Sequence, residues 1–324
     1  MSSPSSPDEV LIQTGARLHF GPLSYQPESG RHFGGIGMMI SKPGWSMRFT
    51  RISASTTDPV IIGQEAERVE QMLARLREPF QSGWNVAGVH IEVESAIPAH
   101  HGLGSGTQLA IALGRGFTQL ACIDATTTEL AAAFGRGQRS AIGTSGYDSG
   151  GFLVDAGKRK DLEMGALAVR VAVPDSWRIV LISPANPGPT YSGSSERQAF
   201  QKIGKMSEAM SGRLARLVLT EMLPALHTEN CSEFSAALYE YGQLVGEFFS
   251  PIQGGVYSHP EMRSCVDQLG ALGISGWVQS SWGPTLALVC ESQKAAQDVT
   301  STIERDVTVG PLNTQIVTVA NDSR

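Results

Sequence analysis

Pro98-Ala99-His100-His101-Gly102-Leu103-Gly104-Ser105-Gly106-Thr107-Gln108-Leu109-Ala110 is the stretch on which the reading of this chain turns. Before it, Val89, Ile91 and Val93 alternate with His90, Glu92 and Glu94, the period of a half-buried strand. After it, Leu109, Leu113, Phe117 and Leu120 recur at three and four residues, which is one face of a helix. Ser105 followed three residues later by Gln108 has the spacing of a capping box, so the helix is expected to begin there. The glycines therefore fall in a strand-to-helix turn. Gly102, Gly104 and Gly106 let backbone amides approach a ligand, and the first helical turn leaves N–H groups unpaired. A phosphate or diphosphate is the natural guest; a bare tight connection is the alternative. Neither standard nucleotide fingerprint is present, since no lysine precedes Thr107 and no acidic residue ends a following strand.

At 324 residues the chain can bury a substantial core, and two domains are expected. Its formal charge of -6 argues against a broad nucleic-acid surface, and no uninterrupted apolar run approaches membrane-spanning length. Met1 to Glu9 is Ser/Pro-rich and reads as a loose tail rather than a signal peptide. Cys122, Cys231, Cys265 and Cys290 are widely separated, without paired metal-ligand spacing, as suits free thiols in a cytoplasmic protein. Cys122 and Cys290 are expected in the core.

In chain order, Val10 to Thr14 and Arg17 to Phe20 read as strand interrupted at Gly15, with Arg17 and His19 on one face. Glycines from Gly30 to Gly37 precede the apolar Met38-Met39-Ile40, and Met47, Phe49 and Arg51 form a further alternating segment. Arg17, His19, Arg31 and Lys42 make this region locally basic, either a solvated face or an anion pocket. Ile62 to Arg77 suits an amphipathic helix whose wet face carries Glu65, Glu67, Arg68 and Glu70, ended by Pro79 and the Gln81-Ser82-Gly83 turn. Thr126 to Glu129 repeats the capping-box pattern before Leu130 to Phe134.

Gly135 to Gly151 is too glycine-rich for an economical hairpin and reads as a functional loop. Within it Arg139 could clamp an anion and Asp148 could act as base or magnesium ligand, against a bland reading of surface arginine and turn-capping aspartate. Phe152 to Asp155 and Leu167 to Val173 return to strand. The composition changes near Pro174: a strand over Trp177 to Ile182 is followed by helices over Ser195–Leu219, Cys231–Phe249 and Pro260–Leu272. The stripe Phe234, Leu238, Tyr241, Val245 and Phe248/Phe249 is core or a dimer seam. Gly276 to Thr285 forms a turn that could close over a ligand or be only a rigid connection, followed by a strand over Leu286–Cys290, a helix over Ser292–Arg305 and a last strand over Gln315–Val319. The pattern is α+β throughout.

With these segments placed, the chain resembles the GHMP small-molecule kinase superfamily. Pro98 through Gly106 looks like its phosphate loop, Pro-x-x-x-Gly-Leu-Gly-Ser-Ser. Within that superfamily it is similar to the beta-ribofuranosylaminobenzene 5'-phosphate synthase family. The likeness rests on Arg17-Leu18-His19-Phe20, Gly30-Arg31 with Gly34-Gly35-Ile36-Gly37, and His101 through Gln108. It extends to Gly137 through Gly143, Ser149-Gly150-Gly151-Phe152 with Val154-Asp155, and Ser280-Ser281-Trp282-Gly283-Pro284. The resemblance implies a ribosomal-protein-like N-terminal domain over 10–173 after a tail over 1–9, and a ferredoxin-like C-terminal domain over 174–324. It also implies homodimers and magnesium dependence.

The activity implied is condensation of 4-aminobenzoate or 4-hydroxybenzoate with 5-phosphoribosyl 1-diphosphate, releasing carbon dioxide and pyrophosphate, in tetrahydromethanopterin biosynthesis and so in one-carbon metabolism. His101, Gly102, Leu103, Gly104, Ser105, Gly106 and Thr107 would cradle the diphosphate. Arg17, Arg31 and Arg139 would meet the 5-phosphate or the benzoate carboxylate, with Ser281 and Trp282 closing the site. His19 would orient substrate or relay a proton, and Asp148, with Asp155 behind it, would be base or metal ligand. His100-His101 reads as substrate contact or loop packing, and His259 as structural. The kinases usually carry a second serine where Gly106 stands and a glycine-rich motif where Ser281-Trp282-Gly283-Pro284 stands. Both departures favour the synthase over an ATP-dependent kinase; a noncatalytic metabolite-binding protein of the same fold is the other alternative.

Overall fold

The computed structural model describes residues 7–52, 58–76, 83–84, 87–188 and 202–322. The chain begins with β1 (Glu9–Gln13), β2 (Ala16–Gly21), β3 (Gly35–Ile40), β4 (Ser46–Arg51) and β5 (Val60–Gly63). It continues through α1 (Ala66–Leu73), β6 (Val89–Ser95), α2 (Ser105–Leu120), α3 (Thr127–Ala133), α4 (Ile142–Ser149), β7 (Phe152–Asp155) and β8 (Leu167–Val171). Then come β9 (Arg178–Pro184), α5 (Glu208–Arg216), a π-helical turn (Leu217–Met222), α6 (Leu223–His227), α7 (Cys231–Gln253) and α8 (Pro260–Ala271). Finally there are β10 (Val278–Gln279), β11 (Leu286–Cys290), α9 (Gln293–Asp306) and β12 (Leu312–Val317). Helices and strands interleave as the α+β reading expects.

The strands form three four-stranded sheets. One runs β1-β4-β6-β5, antiparallel apart from the parallel β5–β6 pair, and another runs β2-β3-β7-β8, antiparallel throughout. Alternation sets the inner face of the first: Val89, Ile91 and Val93 are buried while Glu92 and Glu94 are exposed. On that face α2 packs closely, with Phe117 meeting Phe49 edge-on at 5.6 Å. Gly116 is bare there because a Cβ would stand 2.4 Å from the Phe49 ring. The third sheet, β10-β11-β9-β12, is antiparallel and lies wholly after Pro174.

Helix α7 ties this last sheet to the earlier ones. Tyr241 Oη donates to the Gly21 carbonyl at 3.0 Å, and Phe234, Leu238, Tyr241, Val245 and Phe249 are all buried within one core. The apolar stripe is therefore interior, not an open seam. After β12 the chain crosses back. Ser41 N–H donates to the Thr318 carbonyl (2.9 Å), Gly151 N–H to that of Ala320 (2.7 Å), and Ala320 N–H to that of Met39 (2.9 Å).

Several expectations are corrected. The helix expected over Ile62–Arg77 is shorter, because Val60–Gly63 is the parallel strand β5, whose backbone groups are satisfied by β6. Gly63, at φ 95°, would place a Cβ 2.3 Å from the Val93 carbonyl oxygen, so the chain turns there before α1. Half of the loop expected over 135–151 is α4; Gly146 lets that helix press on Met39 and Leu153, where a Cβ would approach both at 2.7 Å. Cys122 is exposed rather than core, at φ 53° in the turn leaving α2, so its apolar sequence neighbours do not decide its burial. Cys290 is buried, and its thiol is pushed up to about 11 by burial and Glu291.

Glu9 already belongs to β1 rather than to a tail, and the last strand begins at Leu312 rather than Gln315. Of the helix expected over 195–219, the part before 202 lies outside the described residues, as do Pro79, Gln81 and Ser82. Residues 203–207 are not helical: the helix begins at Glu208, where the Ser207 hydroxyl caps it, and runs on through the π-helical turn into α6.

Candidate active site

Helix α2 begins at Ser105 as expected, but the capping box is not formed. Gly104 is the cap residue, left-handed at φ 71°, and no side chain caps the first turn. Gln108, fully buried, donates instead to the Gly143 carbonyl at 2.8 Å, and Ser105 Oγ accepts from Arg68 Nη2 at 2.5 Å. Thr107 N–H donates to the Gly104 carbonyl at 3.1 Å, and the N–H groups of Ser105 and Gly106 are those that the turn leaves for an anion.

Three arginines reach the three consecutive residues of this turn. A Cβ on Gly104 would stand 3.1 Å from Arg17 Cβ and 3.2 Å from its Nε, and one on Gly106 would stand 3.2 Å from Arg136 Nη2. Between them Arg68 holds Ser105. The Arg68 guanidinium is itself fixed by the Ile97 carbonyl (3.1 Å) and by stacking over Trp45 (5.3 Å), whose Nε1 donates to the Ser105 carbonyl at 3.1 Å. Arg68 is also paired with Glu65 at 3.8 Å, while Arg17 and Arg136 add positive charge beside a positively polarised helix end, where an anion is favoured.

On one side the loop is closed by residues from the far end of the chain. Ser280, fully buried, accepts the His19 N–H at 3.1 Å and donates to the Gly102 carbonyl at 2.8 Å. Ser281 N–H donates to the His19 carbonyl at 2.6 Å, and Ser281 Oγ accepts from Arg17 Nη1 at 2.8 Å. Ser281 is left-handed at φ 54°, a strained backbone for a serine, held by Gln279 Nε2 donating to its carbonyl at 2.8 Å. Gly283 lies so close that a Cβ there would be 2.2 Å from Gly102 N. The 276–285 turn is thus bonded directly to the glycine loop.

His19 stands where these segments meet. Its Nε2 is buried and, among the described residues, meets no hydrogen-bond partner. Burial, with Arg17 and Arg139 nearby, holds its pKa well below the ordinary value of 6.5, so the ring is neutral at physiological pH.

Other expected site residues are engaged elsewhere. Asp148 Oδ1 accepts from Thr127 Oγ1 at 2.5 Å and pairs with Arg115 at 3.8 Å. Arg115 lies roughly 15 Å along α2 from Ser105 at the helical rise, so Asp148 faces away from the turn. Asp155 is fully buried and accepts from the Ala141 and Gly157 N–H groups (2.7 and 2.8 Å); burial raises its pKa, and it organises the 135–157 backbone. Arg31 donates to the Gly157 carbonyl at 2.9 Å rather than reaching the glycine loop. Leu103 is a core side chain whose carbonyl accepts the Arg17 N–H at 3.0 Å, and His101 Nδ1 binds its own loop at the Ala99 carbonyl (2.7 Å). Trp282 turns into the core against Phe249 at 4.9 Å, and Thr107 packs its methyl beside Gly143. The sequence reading placed Arg68 on a wet face and gave Arg136 and Ser280 no role. The only signal for Arg136 was its position in a glycine-rich segment.

A magnesium ion fits this arrangement poorly. The donors at the turn are guanidiniums, amides and a hydroxyl, which suit phosphate oxygens and not a cation. Among the described residues no group of three or more His, Cys, Asp or Glu side chains could hold a metal. No described helix is long and apolar enough to cross a membrane.

The family model for the N-terminal domain of GHMP kinases matches residues 67–153, which contain the turn and α2. The chain is 30% identical over 298 residues to a beta-ribofuranosylphenol 5'-phosphate synthase of Archaeoglobus fulgidus, covering 87% of this chain and 88% of that one. It is 28% identical to the synthase of that name from Methanothermobacter thermautotrophicus, covering 88% of this chain and 90% of the other. Among solved structures, the mevalonate kinase of L. major superposes with a TM-score of 0.71 at 13% identity, covering 99% of each chain. A homoserine kinase from Cytophaga hutchinsonii gives 0.67 at 15% identity, covering 100% of this chain and 98% of that one. The fold is GHMP kinase-like.

Proposed function

This chain belongs to the beta-ribofuranosylphenol 5'-phosphate synthase family, and on that premise we propose that it condenses 5-phosphoribosyl 1-diphosphate with 4-hydroxybenzoate or 4-aminobenzoate. The observation that carries the proposal is the uncapped turn at Gly104–Gly106 with an arginine on each of its residues, a receptor for a diphosphate. The relatives are named for a ribofuranosylphenol, which favours the hydroxy acid.

In the reaction so read, the bond from the ribose anomeric carbon to the diphosphate oxygen breaks, and its electron pair leaves with pyrophosphate. The ring carbon bearing the carboxylate attacks the anomeric carbon, and the para oxygen or nitrogen stabilises the resulting ring cation. The electron pair of the carbon–carboxylate bond then restores aromaticity as carbon dioxide departs. No protein base is needed at the ring, which suits a site in which Asp148 faces away and burial makes His19 a weak base. His19 serves by offering a hydrogen bond from a fixed ring, and the arginines by stabilising the departing diphosphate. The homodimer implied by the resemblance would use a face other than the buried α7 stripe.

Incubating the purified protein with phosphoribosyl diphosphate and each carboxyl-labelled benzoate, with and without magnesium, tests the proposal. Pyrophosphate and labelled carbon dioxide should appear in equal amounts. Label retained in the ribosylated product, or turnover of ATP to ADP with no release from phosphoribosyl diphosphate, would overturn it.

A further inference from the structure

We infer that Arg136 is a substrate-binding residue whose guanidinium, lying over Gly106, binds a phosphate of the diphosphate in the place that GHMP kinases give to a second serine. This rests on the proposed function for the identity of the diphosphate, but the placement of the guanidinium stands on geometry alone.

A Cβ built on Gly106 would lie 3.2 Å from Arg136 Nη2 and 3.4 Å from both Cζ and Nη1. Near-equal distances to three atoms of one plane mean that the guanidinium lies flat over that position. In an α-helix the Cα–Cβ bond tilts toward the amino end. The group over Gly106 is thus displaced toward the amino end of the helix, beside its uncapped first turn. Arg136 is carried there by a fixed backbone, since its N–H donates to the Ala131 carbonyl at 2.8 Å just beyond α3, and its Nη2 leans on Met72 Sδ at 3.7 Å.

Glycine and arginine are therefore a matched pair. A serine at 106 would bring its Cβ to 3.2 Å of the guanidinium, tighter than ordinary van der Waals contact, so the end of the arginine must give by a few tenths of an ångström to admit the kinase residue. The exchange replaces one neutral hydroxyl with a charged fork that offers paired donors to phosphate oxygens. It also accounts for the departure of Gly106 from the kinase loop, which the sequence alone leaves unexplained.

The test is calorimetric titration of the purified protein with inorganic pyrophosphate, beside steady-state kinetics in phosphoribosyl diphosphate. Arg136→Met should weaken pyrophosphate binding about 10-fold or more and raise KM for phosphoribosyl diphosphate by a similar factor. Arg136→Lys, which keeps the charge but not the fork, should recover part of the loss, and so covers the case in which the methionine variant does not fold. Gly106→Ser should weaken binding as well, by displacing the guanidinium. Pyrophosphate affinity and KM unchanged in Arg136→Met, or unchanged in a folded Arg136→Lys where the methionine variant is lost, would overturn the inference. Absence of product from the wild-type protein would instead sink the functional reading, while arginine-dependent pyrophosphate binding would still stand.

Discussion

Ser280 Oγ donates to the Gly102 carbonyl at 2.8 Å, joining positions 178 residues apart in the sequence. The same hydroxyl accepts the His19 N–H, so one buried atom fixes both the glycine loop and β2. Ser280→Ala leaves a carbonyl and an amide without this partner in the interior. Urea denaturation should show a loss of about 1–3 kcal/mol, and KM for phosphoribosyl diphosphate should rise more than kcat falls. Unchanged stability would mean that the loop is held by other contacts.

Gly102 and Gly104 are both left-handed, at φ 77° and 71°, yet they are glycines for different reasons. A Cβ on Gly102 would stand 2.2 Å from the Ser280 carbonyl oxygen, where backbone must move; on Gly104 it would stand 3.1 Å from the Arg17 side chain. Gly102→Ala should therefore destabilise the fold beyond the roughly 1–2 kcal/mol cost of a left-handed alanine. Gly104→Ala should cost about that amount while weakening diphosphate binding through Arg17. Thermal unfolding of the two variants side by side checks the order, and equal losses would contradict it.

His19 titrates well below 6.5 in the folded protein, with burial the first cause and Arg17 on β2 and Arg139 on the loop before α4 adding to it. As pH falls through the ordinary histidine value, the unfolded chain takes up a proton that the folded protein refuses. This contribution therefore lowers stability as pH drops below 6.5 and is flat well above it. Between pH 7.5 and 5.5, His19→Gln should remove about 1 kcal/mol of the wild-type loss of stability. An identical pH dependence in both proteins would assign the effect to other groups.

Asp148 is bonded to Thr127 and Arg115 on the outer side of α2, with its side chain 57% exposed. Asp148→Asn should leave kcat and KM within about twofold and stability within about 1 kcal/mol. A collapse of kcat in a folded variant would restore the base or metal role that the resemblance implies.

Much of the scaffold was legible because it is local. The alternation of Val89 to Glu94 and the stripe from Leu109 to Leu120 each report one element's own burial, and Thr126 and Glu129 form the capping box that their spacing announces. Ser105 and Gln108 have the same spacing and do not, because Arg68 and the Gly143 carbonyl offer each a partner that local sequence does not show. Ile62 and Gly63, the end of strand β5, read as helix because their pairing with β6 is settled some thirty residues downstream. Glycine-rich α4 has weak intrinsic helix propensity and forms because small residues fit against Met39 and Leu153. The candidate site was legible as a loop but not as an assembly. Arg17 and His19 could be named from their motif, whereas Arg68, Arg136 and Ser280 join them only through tertiary packing.

The return of residues 318–320 onto Ser41, Met39 and Gly151 has a consequence for biosynthesis. The sheet containing β3 and β7 has all its strands translated before residue 172, yet contacts 277 positions apart are still missing then. During translation the end of β3 beyond its pairing with β7 lacks this partner, and supplying it over so long a span is slow compared with forming a hairpin. A nascent chain caught at this stage is where chaperone engagement or aggregation would be expected to begin.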